Sequence, residues 1–311
     1  MLNIYQIIQL SYTIPLLIIY YYFTILLTYK IIIKKDSYFN NGFYPLMLGK
    51  SYADIVNITN SFLTIRLPRY DIASEFFLKL TCLPYIFYME TCITYNTMLF
   101  CSVLISLNRF IAIKYPMNYQ FWFSTKMMKY YFAGIFIISI SIGYVVLSYE
   151  PYYQRLGEEN GYFVGFKNKN VGIFTACYTL ALYLPCAILA VSLNVITAFE
   201  LKKYRKQLSS NVKKEIHLFF YSIVNLIAFL IFFLYFLFRS LHIIFYLPML
   251  QMIAILSIQW IIDIQSFGLF FSSLIICSPL RDMIFLRKID DTANLKKTMV
   301  SKVNIISCTQ K

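Results

Sequence analysis

Seven long apolar stretches constrain this 311-residue chain more than any other feature. They fall at about 7–33, 43–65, 77–108, 130–149, 171–199, 217–247 and 249–277, separated by short charged segments. Each is close to or above the ~20 residues a helix needs to cross a hydrocarbon layer roughly 30 Å thick. The sixth, HLFFYSIVNLIAFLIFFLYFLF, has no acidic or basic residue other than His217 between Glu215 and Arg239. The second is the least apolar, interrupted by Lys50, Asp54, Asn57 and Asn60. Lipid cannot satisfy polar groups, so these four are expected to face other helices. Runs six and seven are parted only by a turn near Pro248. With 59 % apolar and 14 % charged residues, a chain like this stays dispersed only if lipid covers it. The pattern predicts an all-α membrane protein, one seven-transmembrane helix bundle over residues 1–311 with a cytoplasmic tail at 278–311.

The net charge of +14 would suggest nucleic acid in a soluble protein, but here the basic residues sit between apolar runs, with no stacking motif or zinc spacing beside them. No nucleic-acid partner is expected; membrane lipids are. Seven cysteines (Cys82, Cys92, Cys101, Cys177, Cys186, Cys277 and Cys308) show no CxxC and no metal spacing, and most serve as small hydrophobes. There is no Gly-rich phosphate loop, no HExxH and no Ser/His/Asp set, so neither enzyme activity nor a cofactor is expected. The first basic residue is Lys30, which leaves no charged region for a cleaved leader, and the first run is read as a span.

Basic residues orient the bundle. Lys30, Lys34, Lys35, Lys50, Arg109, Lys114, Lys126 and Lys129, the six in ELKKYRKQLSSNVKKE and the seven after Cys277 would share one side. Only Arg66, Arg69, Lys79, Arg155, Lys167, Lys169 and Arg239 would fall opposite. The amino terminus is therefore expected outside and the carboxy terminus in the cytoplasm. Tyrosines near run ends, such as Tyr20 to Tyr22 and Tyr149 to Tyr153, suit the interface. The one Asn-x-Thr sequon, at Asn57, lies within the second run, and no glycan is expected there.

The third run closes on LISLNRFIAIKYPMNY, with Arg109 followed by Ala112, Ile113 and Pro116. A charge at the edge of a membrane is costly and usually functional. Arginine, Ala-Ile three and four residues on and proline at seven resembles the Asp-Arg-Tyr region of rhodopsin-like G-protein-coupled receptors. The Asn108-Arg109-Phe110 variant, with a short third cytoplasmic loop, looks like the nematode serpentine chemoreceptors, class gamma or a sister class. The resemblance implies a chemosensory receptor in the plasma membrane of sensory cells, binding an extracellular small molecule and activating a heterotrimeric G-protein. Arg109, Asn108 and Pro116 would form its signalling switch, Arg109 exchanging partners as the fifth and sixth helices move and Pro116 ending the third.

Other landmarks of that superfamily are mixed. Asp54 stands where a second-helix Asp is expected, calling for a partner or a bound cation; it is the one weak cation candidate, and no metal site is otherwise expected. Pro185 matches a fifth-helix kink, and Pro279, in Ser278-Pro279, a seventh-helix one. The sixth helix lacks Cys-Trp-x-Pro. Residues 150–170 contain no cysteine, which leaves Cys177 as the only candidate partner of Cys82.

Glu90 lies nineteen residues before Arg109, about 28 Å along a helix, at ligand depth in the resembled receptors. Asp263 is in the outer half of the seventh run. These two acids, with Tyr88 and Asn96, are the ligand candidates, and Tyr85, His242 and Arg239 stand near them; Glu90 pairing with Lys79 or Arg239 is the structural alternative. In the tail, Met283, Phe285, Leu286 and Ile289 would give one apolar side of a short helix on the inner leaflet, with Arg281, Arg287 and Lys288 toward anionic lipid. Thr292, Thr298, Ser301 and Ser307 are phosphate acceptors by type, and Cys308 a lipidation candidate. An amine or small-peptide receptor of the same fold is the near alternative, and a channel or transporter subunit the distant one.

Overall fold

The computed structural model describes residues 4–36, 38–39, 41–72, 74–155, 161–204 and 210–285. Leu286, Arg287, Lys288, Ile289 and the later candidates through Cys308 therefore lie outside the described residues. Helix α1 is Ile4–Thr28, extended by a π turn at Tyr29–Ile33. Helix α2 is Phe43–Ser61, drawn on through Phe62–Arg66 and Leu67–Arg69. Helices α3, Leu83–Lys114, and α4, Thr125–Leu147, follow. Helix α5 joins Val171–Tyr178 and Leu184–Tyr204 through a π segment, Thr179–Tyr183. Helix α6 is Ser210–Phe245. Helix α7 joins Pro248–Asp263 and Leu269–Ile276 through a second π segment, Ile264–Gly268. The short α8, Ser278–Ile284, comes last.

The helices form where the apolar runs lie, because in hydrocarbon a backbone can satisfy its polar groups only within itself. Breaks come where local chemistry enforces them. Ser124 caps α4, its side chain accepting from the Met127 amide at 3.3 Å. Tyr246 at φ 53° reverses the chain after α6, and Pro248 sits in the first turn of α7, where its missing N–H costs nothing.

Among the described residues six helical stretches are long and apolar enough to cross a membrane: Gln6–Ile33, Leu83–Lys114, Thr125–Leu147, Val171–Lys203, Ile216–Phe245 and Met252–Ile276. α2 is not one of them, because its polar residues lower its hydropathy. Those residues are nevertheless inside the bundle: Lys50, Asp54 and Asn57 are each 1–2 % exposed. The outside is the reverse. Ile18, Ile25, Ile137, Ile188, Phe199, Ile227 and Ile275 are exposed, while Asn96, Asn108, Asn194 and Asn225 are fully buried. Polar groups inside and isoleucines outside is the arrangement a lipid solvent selects, and the chain is an integral, multi-pass membrane protein.

α3 is the central helix, packing on α2, α4, α5 and α6. α2 and α4 approach closely at Gly49, where a Cβ would meet the Phe132 ring at 2.2 Å.

One element departs from the all-helical expectation. Pro151–Arg155 (β1) and Tyr162–Phe166 (β2) pair antiparallel, with Tyr153 opposite Val164. Their aromatic and β-branched residues favour extended pairing. Tyr88 Oη donates to the Val164 carbonyl at 3.1 Å, and Tyr153 Oη to the Thr64 carbonyl at 3.3 Å. Burial lifts the Tyr153 phenol to about 12, so it remains a donor at neutral pH. The hairpin thus roofs one end of the bundle, the hairpin end; α8 lies at the other, the tail end.

Candidate functional site

At the tail end, α3 stops at Lys114, Tyr115 turns extended (φ −131°, ψ 59°), and Pro116 begins a short 3-10 turn, Pro116–Asn118. A residue before proline is driven from the helical region, which sets this boundary. Arg109 lies five residues before that end and is 2 % exposed. It is therefore held inside the bundle. Its Nε donates to Asn108 Oδ1 at 3.1 Å, and Nη2 bonds the same oxygen. Asn108 Nδ2 in turn donates to Tyr119 Oη at 3.0 Å. The guanidinium carbon stands 4.8 Å from the centroid of the Phe43 ring of α2. Phe43 meets Tyr221 of α6 edge-on at 5.6 Å. Tyr44 and Cys277 are further electrostatic neighbours of Arg109. Arg109 thereby touches the start of α2 directly and reaches α6 through one aromatic ring.

Midway along the bundle, Lys50 Nζ is 2.6 Å from Asp54 Oδ2, and Tyr20 Oη donates to the same oxygen at 2.8 Å. Lys50 also reaches the Gln265 carbonyl at 3.4 Å. The partner Asp54 demands is thus an ammonium one helical turn away. No group of three metal-ligating side chains occurs among the described residues. Lys50 is accordingly no loop cation, and its place in the orientation tally falls away.

Arg66 leaves that tally too. It is fully buried, with Nη2 2.6 Å from Asp263 Oδ1 and Nη1 donating to Thr13 Oγ1 at 2.8 Å. Tyr12 Oη donates to Asp263 Oδ2. Three helices, α1, α2 and α7, are clasped at one carboxylate.

A third polar cluster joins α3, α5 and α6. Asn194 Nδ2 donates to Ser106 Oγ at 2.8 Å, and Ser222 Oγ donates to Asn194 Oδ1 at 2.9 Å. Sequence reasoning passed over Asn194, Ser222, Arg66, Tyr12 and Phe43. The available signal was an amide inside an apolar run, as in VSLNVITAF.

The remaining candidates are dispersed. Glu90 faces Asn60 of α2, with Oε1 buried and unpartnered among the described residues. Asn96 accepts from Tyr178 Oη of α5, while its Nδ2 has no partner among the described residues. Tyr88 faces the hairpin, and its ring centroid is 4.2 Å from that of Phe166. His242 Nδ1 meets the Leu247 carbonyl at 2.9 Å, at the end of α6. Among the described residues neither Lys79 nor Arg239 forms an ion pair with Glu90. Cys82 and Cys177 are both free thiols, so the disulfide considered for them is not formed. Pro185 is the second residue after the π segment of α5. Pro279 kinks no helix: Cys277 is extended (φ −102°, ψ 93°), α7 ends before it, and the proline sits in the first turn of α8. On α8, Leu280 and Met283 are buried against the bundle, whereas Phe285 is 65 % exposed.

Compared with known families, residues 9–285 match the family model described as serpentine type 7TM GPCR chemoreceptor Srv. No curated protein matches the chain.

Proposed function

Because the chain belongs to the serpentine type 7TM chemoreceptor family Srv, we propose that it is a chemosensory receptor that turns binding of an extracellular small molecule into activation of a heterotrimeric G-protein. In this reading α2 is a crossing like the six more apolar helices, which makes seven. The hairpin end faces outward, the tail end faces the cytoplasm, and the receptor works in the plasma membrane of sensory cells. The distribution of basic residues supports that orientation after Lys50 and Arg66 are removed from it.

The observation that carries the proposal is the environment of Arg109. A buried guanidinium held by Asn108 and the Phe43 ring has few alternatives to its present contacts. A shift of α6 that pulls Tyr221 from Phe43 would release the ring against which the guanidinium rests. Exchange between two discrete sets of partners is the kind of element that reports ligand binding at a distance. Asn108 holds the switch and Pro116 ends the helix that carries it. At the outward end, Tyr88, Asn96 and Glu90 supply the polar surface for a ligand, Asp263 braces that surface through Arg66, and Pro185 marks where α5 changes course after its π segment.

The test is nucleotide exchange on a purified heterotrimeric G-protein by the receptor in lipid discs, together with accessibility of terminal tags in intact cells. Stimulated exchange that Arg109→Ala abolishes, with the amino-terminal tag outside, supports the reading. A cytoplasmic amino terminus or unchanged exchange in Arg109→Ala refutes it.

A further inference from the structure

Arg239 of α6 differs from the other cations inside the bundle. Lys50 and Arg66 each have a carboxylate at 2.6 Å, and Arg109 has Asn108 and the Phe43 face. Arg239 is half-buried, and among the described residues it forms no ion pair; its hydrogen bond is from Nη1 to Tyr235 Oη, a long 3.4 Å. A guanidinium carries five N–H donors and stays protonated at any working pH. Withdrawing those donors from water without acceptors is costly.

The register between α3 and α6 locates this charge. Tyr95 of α3 meets Phe232 of α6 at 4.9 Å, and Ser102 of α3 meets Asn225 of α6 at 3.5 Å. The helices are antiparallel, seven residues forward on one matching seven back on the other. Another seven in the opposite sense sets Tyr88 level with Arg239. Tyr88 and Tyr95 of α3 and Tyr235 of α6 are the electrostatic neighbours of Arg239. Tyr88 in turn lies under the hairpin, bonded to Val164 and packed on Phe166. The result is a cation level with Tyr88, beside Tyr235, at the end of the bundle that the hairpin covers.

We propose that this end of the bundle binds a small organic carboxylate, with Arg239 as its anchor and the rings of Tyr88, Tyr95 and Tyr235 as the aromatic surface beside it. A planar carboxylate matches the guanidinium fork with two parallel bonds, and the rings take the apolar remainder of the molecule. A more highly charged anion would lose more hydration here than one fork returns. The assignment rests on the reading of the protein as a ligand receptor and specifies the ligand's chemical class.

The test uses the full-length receptor in lipid discs, with hexanoate and phenylacetate as probes against their methyl esters and the corresponding primary amines. Thermal unfolding is followed at fixed pH. At saturation the acids are expected to raise the unfolding temperature by roughly 5 °C, and the esters and amines are not. Arg239→Gln should lose the acid effect and Arg239→Lys keep part of it; the comparison of acid with ester needs no variant to fold. Equal effects of acid and ester, a larger effect of the amines, an acid effect that survives Arg239→Gln, or no effect of either acid overturns the site. So does stabilisation that depends on Arg239 but follows the phospholipid content of the disc, which would make lipid phosphate its partner. The receptor reading is judged separately, by Arg109-dependent nucleotide exchange in the absence of ligand.

Discussion

Arg66 Nη2 and Asp263 Oδ1 lie 2.6 Å apart, one on the extension of α2 and the other on α7, and neither is significantly exposed. Breaking a buried pair strands the surviving charge, at a cost of roughly 3–5 kcal/mol. Asp263→Asn and Arg66→Met should each lower the unfolding temperature of the detergent-solubilised protein markedly. The double variant should lose much less than the sum. Strict additivity of the two effects would show that the pair is not coupled.

The Lys50–Asp54 pair predicts how the protein responds to small cations. With an ammonium already 2.6 Å from the carboxylate, exchanging sodium for choline in the buffer should leave the unfolding temperature unchanged. Lys50→Met removes the tethered charge, lowers stability by a similar ~3–5 kcal/mol, and should make stability sodium-dependent. A sodium effect in the unmodified protein, as large as in Lys50→Met, would mean that Asp54 holds a free ion.

For the Arg109–Phe43 contact, cation–π attraction is worth about 1–2 kcal/mol when water is excluded. Phe43→Leu should keep the packing against Tyr221 and weaken the hold on Arg109, raising ligand-independent nucleotide exchange several-fold. Arg109→Ala should abolish exchange and leave surface expression intact. If Phe43→Leu matches the unmodified receptor in basal exchange, Phe43 plays no part in restraining Arg109.

Gly49 tests the close approach of α2 and α4. A valine there would drive its side chain into the Phe132 ring, where even a Cβ stands at 2.2 Å. Overpacking of this sort costs about 1–3 kcal/mol. Gly49→Val should lower the unfolding temperature, and shortening the neighbour with Phe132→Ala should restore part of it. A Gly49→Val protein as stable as the original would place α2 and α4 farther apart than described.

Local features were legible along the chain. Length and hydropathy marked the membrane helices, and the interruption of the second run by Lys50, Asp54 and Asn57 correctly put its polar residues against other helices. Pro116 announced the end of α3. The hairpin was less visible, because five-residue strands in a short loop carry little periodicity.

What the linear order fixed is whatever depends on near neighbours: which stretches prefer lipid, where helices stop, and that Arg109 sits at an edge. The tertiary structure alone decided which charges meet. Lys50 and Arg66 resemble loop cations until α2 is packed, and Arg66 finds its acid 197 positions away. Glu90, Asn96, Tyr88 and Asp263 fall in the same half of their helices but face four different neighbours, since height follows from rise per residue and facing from how helices rotate as they pack. Burial then makes each pairing matter, because a charge withdrawn from water needs a partner and only the packed bundle determines which one is in reach.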